Sequence, residues 1–256
     1  MAEQPPTKIA AIGDVHGEAD LLRSLLDGLA ALDPAMPIYF LGDIVDRGAE
    51  SAQAFDIVAE TLSRLPGSRL VLGNHDEWLL RFLSDDLEVD ELFSWLGQGG
   101  AETLRSYGCD PDSTPATARA HIEATRPGHH KILADAPVLL VAGHFAFVHA
   151  GIDPQRAIGE QDRHDCVWIR APFMNHVGQL SHVIVHGHTP QKKGLPVVTE
   201  NRVSMDTGAV FTGSLSAVVV DLATDDLAFY RSKKHVPFEP IEPIRHDRGL
   251  GTVLDR

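Results

Sequence analysis

Three short apolar runs, KIAAI (8–12), PIYFL (37–41) and SRLVL (68–72), each stop at a glycine followed by a polar cluster. Helical patterns lie between them. Leu21, Leu22, Leu25, Leu26 and Leu29 share one face of a helix expected over Ala19–Ala31. Phe55, Ile57, Val58 and Leu62 do the same over Ser51–Leu65. Strand, helix, strand at intervals of roughly 30 residues is the βαβ signature, which demands a parallel sheet. Its crossovers are right-handed, so the three strands share one sheet and their carboxyl ends lie together. With 256 residues, 43% of them hydrophobic, the chain can fill the core of one large α/β domain.

The rest of the chain changes character twice. From about Trp78 to Leu133 it is helical and polar, with breaks at Gly97, Gly99, Gly100 and DPDSTP (110–115), as expected of a helical cap. Beyond it come APVLLV, FAFVH, HVIVH, LPVVT, RVSMD, LSAVVVD and LAFYR. Turns such as VAGHF and ATDD suit antiparallel hairpins. The segment from about 231 to 256 contains prolines and mixed charge, and is expected to be a surface extension. A single domain over 1–256 is the expected organisation.

Composition narrows the function. A formal charge of −14 argues against a long basic groove for nucleic acid. An anionic substrate can still bind if local cations neutralise the site. Cys109 and Cys166 are too few for a disulfide framework or a zinc knuckle. Neither has an arginine after five intervening residues, so cysteine-phosphatase chemistry is rejected. Gly97-Gln98-Gly99-Gly100 lacks the Lys-Ser/Thr of a nucleotide P-loop. No apolar leader or bilayer-length apolar run is seen, and a cytoplasmic protein without membrane contact is the expectation.

Chemistry gathers at the strand ends. KIAAI is followed by Gly13-Asp14-Val15-His16-Gly17, and PIYFL by Gly42-Asp43-Ile44-Val45-Asp46-Arg47-Gly48. SRLVL is followed by Gly73-Asn74-His75-Asp76, FAFV by His149-Ala150-Gly151, and HVIV by His186-Gly187-His188-Thr189-Pro190. Ligands of an open α/β sheet collect beyond the carboxyl ends of its strands, so these five pieces should converge. Any one alone is ordinary turn chemistry; five at the same topological position are not. Carboxylates, an amide oxygen and imidazoles suit manganese, iron or zinc and would make a poor calcium cage. A carboxylate can bridge two metals roughly 3.5–4 Å apart, and such a pair activates water and clamps a phosphoryl group.

These motifs, spread over about Lys8 to Tyr230, resemble those of the calcineurin-like metallophosphoesterases, and more narrowly a bacterial phosphoprotein phosphatase. The resemblance implies a β-sandwich flanked by helices with two divalent metal ions at one edge, manganese first among them. Asp14 and His16 would hold one ion. Asp43 would bridge both, and Asn74, His149 and His188 would complete the second. In the GH-T segment the family's ligand follows the glycine, which selects His188 over His186. Asp46 and His75 would form an acid–imidazole pair that protonates the leaving oxygen. Arg47 and Arg170 would grip phosphate. The reaction implied is in-line attack on phosphorus by a hydroxide held between the metals.

The expected substrate is a phosphomonoester, foremost a phosphoprotein (Ser/Thr or Tyr), or a small phosphoester. One departure opens an alternative. Eukaryotic protein phosphatases read GNHE, whereas Asp76 here gives GNHD, a form also found in relatives that cleave diadenosine tetraphosphate. Those relatives often lack the aspartate that is Asp46 here. A second alternative is an inactive metal-binding regulatory module, opposed by the intact ligand set. Similar bacterial phosphatases carry a GG-xx-T-L-x-S-YG stretch, here Gly99 to Gly108, which is either a helix break or a cap element near the site. His186 is a strand histidine or a supporting partner. Trp78 and Trp95 are expected to pack the cap against the domain.

Overall fold

The computed structural model describes residues 6–246. β1 (Lys8–Ile12), β2 (Ile38–Phe40) and β3 (Arg69–Leu70) pair in parallel in that order. α1 (Ala19–Leu32) and α2 (Ser51–Arg64) form the crossovers and bury the apolar faces read from the sequence. β9 (Ser214–Asp221) joins β1 antiparallel, followed by β10 (Leu227–Lys233) and β11 (Val236–Ile241).

The second sheet has the order β12-β7-β8-β6-β5-β4. Its strands are β4 (Leu139–Ala142), β5 (Phe145–Val148), β6 (Val183–His186), β7 (Val197–Val198), β8 (Arg202–Ser204) and β12 (Ile244–Arg245). The VAGHF and ATDD turns close antiparallel hairpins, as expected. The β5–β6 and β6–β8 pairs, however, are parallel, because helical and loop crossovers separate them in sequence. Beyond Arg231 the chain does not trail over the surface. Val236–Ile241 and Ile244–Arg245 add edge strands to the two sheets. Residues 247–256 lie outside the described residues.

Strand alternation sorts the core into layers. Ala10 and Ile12 face α1 and α2, while Ile9 and Ala11 face the second sheet. Phe145 and Phe147 answer from β5, meeting Val183 and Val185 of β6. Ala146, Val148 and Ile184 turn outward to a third cluster with Cys166 and Phe173. That cluster is covered by α8 (Arg163–Trp168) and α9 (Ala171–Met174). The result is an α/β sandwich: two mixed sheets flanked by helices. The cap comprises α3 (Asn74–Leu83), α4 (Val89–Trp95), a kinked turn (Leu96–Gly100), α5 (Ala101–Ser106), α6 (Pro115–Thr125) and α7 (Pro127–Asp135). It packs on α2, which sets it beside the carboxyl ends of the strands. The last helix, α10 (Ala209–Thr212), is a short turn between β8 and β9.

Candidate active site

The five loops converge. Backbone hydrogen bonds stitch them together: Val15 and His16 N–H donate to Asp43 O, Gly17 N–H to Ile44 O, and Gly187 N–H to His149 O. The loops are strained to do so. Among the described residues seven non-glycines have positive φ, and five of them are His16, Asp43, Asp46, Arg47 and His188. Such conformations cost about 1–3 kcal/mol each and persist where their surroundings fix them, typically at functional sites.

Asp43 stands at the centre. Its Oδ1 is 3.3 Å from His149 Nε2 and its Oδ2 is 3.7 Å from His16 Nε2. The His75 N–H also donates to Oδ1, at 2.9 Å. Asn74 Oδ1 lies 2.7 Å from His188 Nδ1 and 3.0 Å from His149 Nε2. Second partners orient the rings. His149 Nδ1–H donates to Leu41 O (2.7 Å) and His16 Nδ1–H to Val45 O (2.8 Å), which leaves both Nε2 atoms facing inward. Burial pushes the Asp43 carboxyl up, but His149, His75 and His16 outweigh it and hold it well below the carboxylate range. Burial likewise opposes charge on His149, yet Asp43 raises it to about 10. That proton is the one a metal ion would displace.

Asp46 is wholly buried and accepts from three donors. His75 Nδ1–H reaches Oδ2 at 2.7 Å, Thr103 Oγ1–H reaches Oδ1 at 2.6 Å, and Trp95 Nε1–H lies 2.9 Å from Oδ2. Thr103 and Trp95 both come from the cap. The stretch beginning at Gly99 is therefore an element of the site rather than a mere helix break. Gly99, at φ +118°, presses on Arg47, and its carbonyl accepts the Arg47 N–H. The expected acid–imidazole pair is present, and the cap completes it.

The cationic residues separate. Arg47 is half-buried, and its guanidinium donates to His16 Nε2 and, at 2.8 Å, to His75 Nε2. Arg170 is exposed at the start of α9, close enough for its charge to act on His188. Asp14, expected beside His16, accepts the His188 backbone N–H with both oxygens, 3.1 Å each. The side chains that come together as potential metal ligands are His16, Asp43 and His75 in one group and Asp43, His149 and His188 in the other. Asp43 belongs to both. His186 is a satisfied strand histidine, bonded to Ser204 Oγ (2.8 Å) and Gly187 O (2.9 Å).

Two residues of the site lie outside the strand-end motifs. Asp206 follows β8, whose carboxyl end lies beside that of β6, and its charge reaches Asp14. The signal was there: RVSMD is one more apolar run ending in an acid and a glycine turn. Thr103 gave no signal except its place in the GG stretch. Asp76, which the GNHD motif makes a clue to substrate, turns its carboxylate inward instead, where Ile44 N–H (2.9 Å) and Gly73 N–H (3.3 Å) donate to it. It shapes the Asp43 loop, and burial with the Asp43 charge pushes its carboxyl up to about 7.

A family model for calcineurin-like phosphoesterases matches residues 7–192. The chain belongs to that family. It is also 29% identical to a bis(5'-nucleosyl)-tetraphosphatase PrpE (asymmetrical) of Geobacillus thermodenitrificans, over 90% of this chain and 96% of the relative. A protein of the same name from Anoxybacillus flavithermus is 30% identical over 81% of this chain and 88% of its own. The crystal structure of a cold-active protein tyrosine phosphatase from a psychrophilic Shewanella superposes with a TM-score of 0.58 at 15% identity, covering 93% of this chain and 81% of that one. At that identity the likeness is one of fold.

The residues fit a divalent pair. Burial, Asp206 and Asp43 push Asp14 well above the carboxylate range, as expected of acids crowded together without enough positive charge. His188 Nε2 is buried without a hydrogen-bond partner. Mixed carboxylate, amide and imidazole donors meeting at one shared aspartate are the ligand chemistry of such a centre. No helix among the described residues is long and apolar enough to cross a membrane.

Proposed function

We propose that this chain hydrolyses dinucleoside tetraphosphates asymmetrically. Water adds across one P–O–P bridge to give a nucleoside triphosphate and a nucleoside monophosphate. The observation that carries this reading is the pair of relatives bearing that activity in their names, matched over 88–96% of their length. They promote the alternative substrate over the phosphoprotein first expected. Asp46 had pointed the other way. Its carboxylate, however, is engaged by His75, Trp95 and Thr103, inside the protein. It therefore orients a histidine for any phosphoryl transfer and does not select a substrate.

When bound, two divalent ions, manganese by our expectation, polarise phosphoryl oxygens and bring the pKa of a water toward about 7. The chain's own residues do the rest. Asp14 and His16 would hold one ion and Asn74, His149 and His188 the other, with Asp43 common to both. Arg47 would leave both His16 and His75 to grip an equatorial oxygen, which frees His75 Nε2, and Arg170 would meet the phosphate chain at the rim. His75, steadied by Asp46, holds a proton at Nε2 for the leaving oxygen. The hydrogen bonds that hold the Asp43 and Asp46–Arg47 turns at positive φ fix their backbone before substrate arrives, which is where preorganised catalysis gains most.

The test is a panel with manganese present: diadenosine tetraphosphate, phosphoserine and phosphotyrosine peptides, and an aryl phosphate. The expected result is a kcat/KM for the dinucleotide at least about tenfold above the peptides, a gap of about 1.4 kcal/mol. Equal triphosphate and monophosphate should be released. A higher value for either peptide, or release of two diphosphates, would refute the proposal.

A further inference from the structure

Phe211 is the most exposed large hydrophobic side chain among the described residues, at 72%. Its ring lies beside the site, with the Arg47 guanidinium carbon 6.0 Å from the ring centre. A phenylalanine in water usually marks a loose loop, but the turn carrying this one is tightly held. Thr212 Oγ1–H donates to Thr207 O and Gly208 O (3.0 Å each), and Thr207 Oγ1–H donates to Ser214 O at 2.8 Å. The Gly208 N–H donates to Asp206 Oδ1 at 2.8 Å, and Ala209 is buried beneath the turn. The fold has fixed the backbone and left an aromatic face open to solvent.

Packing does not explain that face: Phe211 belongs to none of the hydrophobic clusters. Its neighbour is a phosphate-gripping arginine, and a nucleobase is the flat apolar group that lies one ribose away from a gripped phosphate. Cation suited to the remaining phosphates stands on the same rim. The 189–194 loop, carrying the exposed Lys192 and Lys193, is tied to this turn by Gln191 N–H donating to Asp206 O (2.9 Å).

We infer that Phe211 is the platform on which a nucleobase of the substrate stacks, a specificity-determining residue beside the phosphate clamp. The inference rests on the dinucleotide reading above. Aromatic stacking tolerates any base, because every base has a π face. The site should therefore accept purine and pyrimidine dinucleotides, with preference following stacking strength.

The test compares the parent, Phe211→Ala and Phe211→Trp in the manganese-loaded protein. Substrates are diadenosine tetraphosphate, inorganic tripolyphosphate and a phosphotyrosine peptide. Phe211→Ala is expected to raise KM for the dinucleotide about tenfold more than for tripolyphosphate, and Phe211→Trp to restore it. A turnover-independent arm titrates 2-aminopurine riboside triphosphate, whose fluorescence is quenched on stacking; Phe211→Ala should weaken binding and remove the quench. Equal losses on dinucleotide and tripolyphosphate would mean that the ring only supports Arg47, and would overturn the inference. So would a loss confined to the phosphotyrosine peptide, or quenching that survives the alanine. If the parent fails to cleave the dinucleotide yet shows quenching that depends on Phe211, the proposed substrate falls and the stacking platform stands.

Discussion

Gly99→Ala tests the link between cap and catalytic loop. A Cβ added at Gly99 would lie 2.3 Å from Arg47 N and 2.9 Å from its Cα, where ordinary contact begins at 3.4 Å. Both are backbone atoms, so no side chain can swing aside. The cap turn and the Arg47 loop must part by about 1 Å. Alanine must also adopt φ near +118°, which adds strain of about 1–3 kcal/mol. For a chain of this size that lowers Tm by about 2–4 °C per kcal/mol. The activity loss should be larger, because displacing a positioning group by about 1 Å can cost on the order of 100-fold. The control is Gly97→Ala in the same turn: no atom lies within 4 Å of its added Cβ. That variant should keep its kcat within about twofold and gain up to about 1 kcal/mol of stability from helix propensity. The assay is kcat with saturating manganese, alongside metal content and thermal melting. A Gly99→Ala enzyme with full metal content and kcat within about threefold of the parent would refute the coupling.

Three further outcomes are expected. Asp43→Asn should lose metal and at least about 100-fold in activity together, since its carboxylate belongs to both ligand groups; elemental analysis showing full metal content would remove it from the shared position. His75 lies within the His16–Asp43 group but is held by Asp46 at 2.7 Å as an acid rather than a ligand, so His75→Asn should keep its metals and slow phosphoserine hydrolysis by about 10²–10⁴ but the dinucleotide less, because a phosphate leaving group, with a second pKa of about 6, needs less protonation than an alkoxide. Equal losses on the two substrates would show that His75 is not the proton donor. His129, far from the metal ligands in sequence and packed on Phe55, is lowered to about 4 by burial, with Asp56 pulling it partly back. Its folded pKa lies below the unfolded value of 6.5, so the unfolded chain binds the extra proton. Stability is therefore full above about pH 6.5 and falls as the pH drops toward 4. Urea melts across that range should show a shallower slope for His129→Gln, and an unchanged slope would exclude His129 as the source.

Much of this protein can be read from its residues. Leucine spacing marks α1, and apolar runs that stop at glycines mark β1 to β3. Parallel pairing then requires Asp14, Asp43 and Asn74 to meet beyond one end of the sheet, because each follows the carboxyl end of its strand. The linear chain does not show that β5, β6 and β8 form a separate sheet whose ends face the first. The partner of a strand is chosen by burial of both faces, and that depends on every other strand at once. For the same reason the local RVSMD motif does not by itself place Asp206 at the site, and nothing in the order of residues beyond Arg231 shows that β11 and β12 cover sheet edges. Trp95 and Thr103 are the sharpest case. Nothing near them in sequence speaks of Asp46, about 50 positions earlier, yet a buried carboxylate must find donors, and the docked cap supplies them. Residue order thus determined which chemistry the chain carries. Only three-dimensional packing decided which groups hold that chemistry still.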